Sequence, residues 1–320
     1  MKKNKIKDTG LEVTELSFGT SSLGSMPDTY GYEVSEDRAQ KTLNRFFQGP
    51  VNMLDTSRNY AMGESEKRIG KAIKENGGWP NGFLLSTKLD RNMDTLVLDK
   101  NRVRESLEES LKTLNVDSVD ILFLHDPEYA KDITDITKKD GAMDELFKIK
   151  NEGLAKAAGV AMGKVDIMFP LLKDWDFDVI INHNRYTLIN REANEMYDYA
   201  SSKNIAIFNA APYAGGVLAK GPDNFKKITY QDATEEKLAP AREFEKVCKK
   251  HNVELGAAAL QFSLRDNRIT STICGVTSVE SIEKNLAWAN TNIPGEFWNE
   301  VLKLPYSTKD PESERNFTPG

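Results

Sequence analysis

Short apolar runs recur along the 320-residue chain, and each is followed by a segment of helical periodicity. The runs fall at 16–19 "LSFG", 51–54 "VNML", 83–87 "FLLST", 119–124 "VDILFL", 156–160 "KAAGV", 178–181 "DVII", 205–209 "IAIFN" and 271–276 "STICGV". Strands that are apolar on both faces and alternate with helices pair in parallel through right-handed crossovers. Between the runs the spacing predicts helices over 35–48, 64–76, 100–114, 141–151, 164–172, 191–202, 235–250 and 278–289. In the second of these, Ile69, Ala72 and Ile73 share one face, while Glu66, Lys67, Arg68 and Lys71 take the other. In the third, Val103, Leu107, Leu111 and Leu114 form the inward stripe. Eight strand–helix units over about 290 residues predict a closed (β/α)8 barrel.

The rival architecture is a doubly wound sheet, which usually carries G-x-G-x-x-G in its first strand–helix turn. Here that turn reads "GTSSLGSMPDTYG", which does not fit, and no other strand end supplies the motif. With no linker or compositional break, residues 1–320 read as one domain. The opening "KIKDTGLEVTEL" reads as a short hairpin turning at Thr9-Gly10, placed to close the barrel bottom. "CKKHNVELGAAALQF" reads as two packed helices with His251 in their turn. The polar stretch over 306–320 is expected to be a mobile tail.

Composition narrows the function classes. The 39% hydrophobic and 29% charged fractions are those of an ordinary globular protein. A net charge of −6 without a basic run argues against a nucleic-acid surface. The basic start "MKKNKIKDTG" precedes no apolar segment of the kind a secretory signal needs, and no stretch is long and apolar enough to span a membrane. Cys248 and Cys274, the two cysteines, have no metal-like spacing and fit a reducing, cytoplasmic setting. No metal site is expected. "NFT" near the end matches a glycosylation sequon but stands without secretory context. Composition leaves monomer and homo-oligomer equally open.

In a (β/α)8 barrel the chemistry sits at the C-terminal ends of the strands. The second strand ends in Asp55, with Tyr60 in its loop; the third ends "FLLSTK", with Lys88; the fourth ends "ILFLHDPE", with His125. Singly these are a helix cap, a loop aromatic, a solvated amine and a structural histidine. Together they form a working unit. A tyrosine, with an ordinary pKa near 10, is a poor proton carrier at neutral pH. A nearby ammonium favours phenolate and is expected to lower that pKa. A carboxylate holds the amine, and an imidazole positions a substrate oxygen. Proton transfer at a C–O bond also needs a hydride carrier that side chains do not supply, which implies a nicotinamide cofactor and a small-molecule substrate.

"LDTSRNYAMGESEKRIGKAI", "STK" and "LHDPE" resemble motifs of the aldo-keto reductases, and the resemblance runs from "TGLEVTELSFGTSSLG" to "SVESIEKNLAWAN". It implies a (β/α)8 barrel and NAD(P)-dependent interconversion of carbonyl and alcohol. It assigns Tyr60 as general acid/base, Lys88 and Asp55 as its tuning pair, and His125 as the group orienting substrate. "NRYTLINRE", "APYAGGVLAKG" and the segment through "TICG" are similar to the branch that oxidises cyclic sugars or a pyridoxal hemiacetal. The resemblance places cofactor contacts at Gly19, Thr20, Ser21, Asp55, His183, Ala211, Pro212, Tyr213, Gly215, Cys274, Gly275, Val276, Ser281 and Asn285. Departures from the family pattern are Ala161 and Met162 for Ser-Asn, His183 for Gln, and Ala210 for a stacking Tyr. At the 2′-end of the cofactor, Gly275 and Ser281 stand where NADP-preferring relatives carry Lys and Arg. Glu280 and Glu283 lie nearby, so of NAD and NADP, NAD is favoured. Lys284 is the residue able to supply the missing charge. The alternatives are a general NADPH-dependent reductase of aldehydes and ketones, and a cofactor-binding regulatory barrel without turnover.

Overall fold

In the computed structural model of the chain, which describes residues 1–314, eight parallel strands close into a barrel. They are β1 Leu16–Gly19, β2 Met53–Asp55, β3 Leu84–Leu89, β4 Val119–His125, β5 Ala155–Met162, β6 Val179–His183, β7 Ala206–Ala210 and β8 Ile269–Gly275. Each pairs with the next, and β8 closes on β1 through Thr272–Leu16 to Gly275–Gly19. Every predicted strand is present. The bounds shift by one or two residues, and the shifts that matter lie at the ends that carry polar groups: β2 reaches Asp55, β3 passes Lys88 and β4 takes in His125. Pairing continues there because neighbours supply partners, as in Asp55 opposite Ser86 and His125 opposite Ala161.

The main helices are α1 Glu36–Phe47, α2 Glu64–Glu75, α3 Lys100–Leu114, α4 Ala142–Asn151, α5 Val165–Asp174, α6 Asn194–Ser202, α7 Glu235–Lys250, α8 Leu255–Leu264, α9 Val279–Asn290 and α10 Gly295–Val301. Ser35, Asp99, Thr234 and Ser278 cap α1, α3, α7 and α9 through side-chain acceptors, each satisfying amides the helix leaves open. The inward stripes form as the periodicity predicts, with Ile69, Ala72 and Ile73 on α2 and Val103, Leu107 and Leu114 on α3 buried and Leu111 half-buried. Glu66 and Arg68, expected on the outer face of α2, are buried as well. Glu66 accepts from the Thr87 hydroxyl, and Arg68 donates to the Leu23 and Val34 carbonyls. α2 and α3 meet so closely at Gly70 that a methyl group there would lie 2.0 Å from the Thr113 carbonyl oxygen.

Two apolar layers hold the fold. One lies between strands and helices. The other fills the barrel axis with Met53, Leu84, Ile121, Phe123, Ile181, Phe208 and Ile273, and is stoppered below by Ile6, Leu11 and Val13. Those last three come from the expected hairpin, whose strands Lys3–Lys5 and Glu12–Thr14 pair around Thr9-Gly10. A packed axis leaves chemistry only at the rim.

The segment expected to be a mobile tail is docked as far as Glu312. Ser307 bridges to Asn190, the Asn190 amide donates to the Lys309 carbonyl at 2.9 Å, and Thr229 donates to the Pro311 carbonyl. Fully buried Arg185, just past β6, pairs with Asp310 at 2.6 Å and with buried Glu312. A polar composition suggested solvent, but these carboxylates answer a buried guanidinium. Residues 315–320, including the "NFT" sequon, lie outside the described residues.

Candidate active site

The rim opens into a cavity of about 790 Å³ bordered by Asp55, Tyr60, Lys88 and His125. Lys88, 1% exposed, is the hub. Its ammonium donates to Asp55 Oδ2 at 2.8 Å, to the Thr56 carbonyl at 2.6 Å and to the Tyr60 hydroxyl oxygen at 2.9 Å. Ser86 donates to the other Asp55 oxygen at 2.7 Å, so both carboxylate oxygens are held. A buried charge is tolerable under these conditions: an opposite charge in contact and its remaining donors satisfied. The Tyr60 and His125 rings meet edge to face with centroids 5.7 Å apart. The four side chains named from the strand ends are therefore brought together.

Tyr60 is delivered by a compressed corner. Ala61, Met62 and Gly63 follow it with φ of 51°, 55° and 91°, three left-handed residues in succession. Two of them carry side chains, a conformation that costs about 1–2 kcal/mol per residue.

One electrostatic expectation is overturned. Lys88 was expected to lower the phenol's pKa; instead burial pushes Tyr60 well above its ordinary value, and the charges of Asp55, Tyr30, Asp126 and Asp90 push the same way. The Lys88 charge is already matched by Asp55, so the phenol faces a neutral pair rather than a free cation. At rest the unit holds its proton on Tyr60.

Several members of the site were not foreseen. Asp90, two residues past Lys88, is 1% exposed and accepts the His125 Nδ1–H at 2.6 Å. Its second oxygen accepts from the Ser57 hydroxyl at 2.6 Å and the Asn59 amide at 3.1 Å. Asp126, in a left-handed conformation at φ 44°, borders the cavity with its carboxylate 3.7 Å from His125 Nε2. Burial alone would lower the His125 pKa; the Asp126 and Asp90 carboxylates outweigh it and raise it. Burial pushes Asp90 up, but the His125 charge and the hydrogen bonds from His125, Ser57 and Asn59 hold it below the usual carboxylate range. In sequence the only sign of this pair was an acid following the strand-three lysine.

Of the residues expected at the cofactor, Gly19, Ser21, Asp55, His183, Ala211, Tyr213, Gly215, Gly275, Ser281 and Asn285 border the cavity. Thr20, Pro212, Cys274 and Val276 do not. Thr20 is buried and donates to the Asp55 carbonyl at 2.9 Å, while Cys274 and Val276 belong to the core between strands and helices. Tyr213 borders the cavity, and its hydroxyl donates to Asn285 Oδ1 at 2.5 Å. His183 has its pKa lowered by burial, against the pull of Glu312. Its Nδ1 lies 3.2 Å from the Asn184 amide nitrogen and 3.4 Å from Arg185 Nη1, both donors, which leaves Nε2 as the protonated nitrogen. Arg38 and Lys284 also border the cavity, with Arg38 3.5 Å from the Thr277 hydroxyl. Glu283 is paired with Arg45. The residues present suit a dinucleotide: small Ala161 and Ala210, a donor at His183, and the cations Arg38 and Lys284 all border the one cavity.

A hub lysine between an acid and a phenol at the C-terminal rim of a (β/α)8 barrel defines a barrel oxidoreductase working at a C–O bond. Residues 15–304 match the aldo/keto reductase family model. The chain belongs to that family, whose members are NAD(P)-dependent oxidoreductases. It is 31% identical over 284 residues to L-galactose dehydrogenase of Arabidopsis thaliana, covering 88% of this chain and 85% of the relative. It is 27% identical to D-threo-aldose 1-dehydrogenase of a Pseudomonas species, over 92% of this chain and 94% of that one. Among solved structures, the holo form of an aldo-keto reductase from Bacillus halodurans superposes with a TM-score of 0.79 at 21% identity, over 99% of this chain and 100% of the other. Among the described residues no helix is long and apolar enough to cross a membrane.

Proposed function

We propose that the protein is an aldose 1-dehydrogenase-like enzyme interconverting a sugar hemiacetal and its lactone, with Tyr60 as the proton carrier. The observation that carries this reading is the Lys88 ammonium bridging Asp55 and Tyr60 at 2.8 and 2.9 Å within the cavity. The sugar is suggested by the two dehydrogenase relatives and by the charged, hydrogen-bonding wall that Asp126 and His125 give the pocket. When bound, the nicotinamide supplies or accepts the hydride. Tyr60 gives its proton to the oxygen of a carbonyl, or takes the hydroxyl proton in the reverse direction. Lys88 donates to the phenol oxygen and steadies it as the proton leaves, and Asp55 fixes Lys88. His125 orients the substrate oxygen. Gly275, Ser281 and Asn285, with Arg38 and Lys284, would hold the dinucleotide's far end, and His183 Nε2–H its carboxamide.

A second reading, reduction of simple aldehydes or ketones, is favoured by one observation: burial keeps Tyr60 protonated at rest. It shares the machinery and differs in substrate. For the dinucleotide, NAD is the preferred partner on the strength of Glu280 and of Gly275, which offers no cationic side chain. Arg38 and Lys284 are the groups that favour NADP. Two free, buried thiols suit a cytoplasmic enzyme.

The test is turnover with NAD and NADP against a panel of aldoses, pyridoxal and simple aldehydes, followed at the reduced-nicotinamide absorbance. Tyr60→Phe should lower turnover by roughly 10²- to 10⁴-fold while dinucleotide binding persists, because only the phenolic oxygen is removed. Full turnover in that variant would sink the assignment. No turnover by the wild type with any pair would leave a barrel that binds without reacting.

A further inference from the structure

His125 carries an acid on each side, an arrangement the proposed chemistry does not by itself require. Its Nδ1–H donates to Asp90 at 2.6 Å, its Nε2 lies 3.7 Å from the Asp126 carboxylate, and both His125 and Asp126 border the cavity. Both Asp90 oxygens are engaged, by His125 on one side and by Ser57 and Asn59 on the other. The Asp90 backbone is pinned as well: its amide donates to Ser106 Oγ at 2.9 Å, and its carbonyl accepts from Arg102 Nε at 3.0 Å. Arg102 is in turn gripped by Glu109 through two hydrogen bonds of 3.0 Å. A carboxylate fixed at this many points is a rigid partner for the ring.

We propose that Asp90 is a positioning residue that keeps His125 as a doubly protonated imidazolium, so that its Nε2–H is a charged donor aimed at the substrate oxygen beside the Tyr60 hydroxyl. The inference rests on the functional reading above for its purpose, though not for its geometry. As a carbonyl carbon is reduced, the C–O π pair moves onto oxygen, and the proton that joins it comes from Tyr60. His125 donates a hydrogen bond to the same oxygen without surrendering its proton, and stabilises the developing charge. A charged donor is roughly twice as strong as a neutral one, and donors preset toward developing charge act without reorganising. Neutral imidazole would supply the donor only in one tautomer; the imidazolium supplies it always.

The charged groups facing His125 come from four elements and act in opposite directions. Asp90 comes from just past β3, Asp126 from the end of β4, Lys88 from β3, Tyr60 from the β2 loop and His183 from β6. Lys88 and His183 oppose a charge on the ring, the two carboxylates favour it, and the carboxylates prevail.

The decisive measurement is the imidazole ¹H–¹⁵N spectrum of the protein without substrate, with three histidines to assign. The His125 signal is identified by its loss in His125→Gln. In the wild type both ring nitrogens of His125 are expected to stay protonated to a pH above the ordinary histidine midpoint of about 6.5. In Asp90→Asn the midpoint should fall, with far-ultraviolet circular dichroism unchanged. A wild-type His125 whose midpoint is no higher than the ordinary value overturns the proposal even if the variant does not fold. So does an unshifted midpoint in a folded Asp90→Asn protein. On active substrates, Asp90→Asn should lower kcat by roughly 10- to 100-fold, as loss of an orienting outer partner does, with the low-pH behaviour of kcat/KM altered and dinucleotide affinity kept. Because the spectra need no substrate, a wild type without turnover refutes the functional reading while the titration still decides the role of Asp90.

Discussion

Lys88→Met probes whether the site is one buried charge network. Lys88 and Asp55 are 1% and 4% exposed, and their charged atoms lie 2.8 Å apart. At that separation, and an effective dielectric of about 20, their attraction is roughly 6 kcal/mol. Against it stands the loss of hydration of both ions. The substitution removes the attraction but leaves the Asp55 carboxylate out of water, with the Ser86 hydroxyl as its remaining side-chain donor. It also takes the donor from the Thr56 carbonyl. The expected loss is roughly 3–5 kcal/mol, the range for breaking a buried pair from one side. Asp55→Asn combined with Lys88→Met removes both charges, and should regain most of that stability while remaining inactive. Urea unfolding of the wild type, Lys88→Met, Asp55→Asn and the double variant, with the slope m compared as well as the midpoint, gives the coupling directly. If Lys88→Met unfolds at the wild-type midpoint with the same slope, or the double variant is no more stable than Lys88→Met alone, the charge-network picture fails.

Four further outcomes are expected. Glu66 is fully buried, accepts from Thr87 at 2.6 Å, and burial pushes its pKa to about 7. The folded state therefore holds this proton more tightly than the unfolded chain does, and stability falls as pH rises from the ordinary carboxylate range through about 7. Glu66→Gln should thus raise the melting temperature relative to wild type at pH 8 more than at pH 5, and an equal difference at both would refute it. Glu312→Ala should destabilise by about 2 kcal/mol, since it strips a charge-assisted hydrogen bond from buried Arg185; thermal unfolding at the wild-type temperature would contradict the docked segment. Met62→Gly relieves a left-handed residue that is 67% exposed, and should gain about 1 kcal/mol in urea unfolding while lowering kcat by loosening Tyr60. Arg38→Ala should weaken NADP binding more than NAD binding, measured by fluorescence titration of both; equal losses would mean Arg38 does not meet the 2′-end.

The barrel and the tetrad were legible because both are written in local pattern. Each apolar run declares a strand, and each strand end displays its own polar residue a step later. Three things were hidden because they depend on partners far along the chain. Asp90 becomes a histidine partner only because β3 extends past Lys88 and lies beside β4, which ends in His125. Arg185 needs carboxylates 125 and 127 residues away, on a stretch whose composition suggested mobility. Arg38 reaches the cavity from α1, far from the strand-eight motif where cofactor charge was sought. The direction of the Tyr60 shift was missed for another reason. It is a balance of burial against neighbouring charge, and sequence supplies the charges without the depth.

The docking of Glu312 on Arg185 also has a temporal side. During synthesis Arg185 leaves the ribosome 127 residues ahead of its carboxylate, a delay on the order of ten seconds at ordinary elongation rates. Over that interval the nascent rim holds a guanidinium that the finished protein fully buries, and β1 waits for β8 before the ring can shut. A half-made chain is thus denied a finished pocket, and whatever shelters Arg185 in the meantime sets how safely the barrel is assembled.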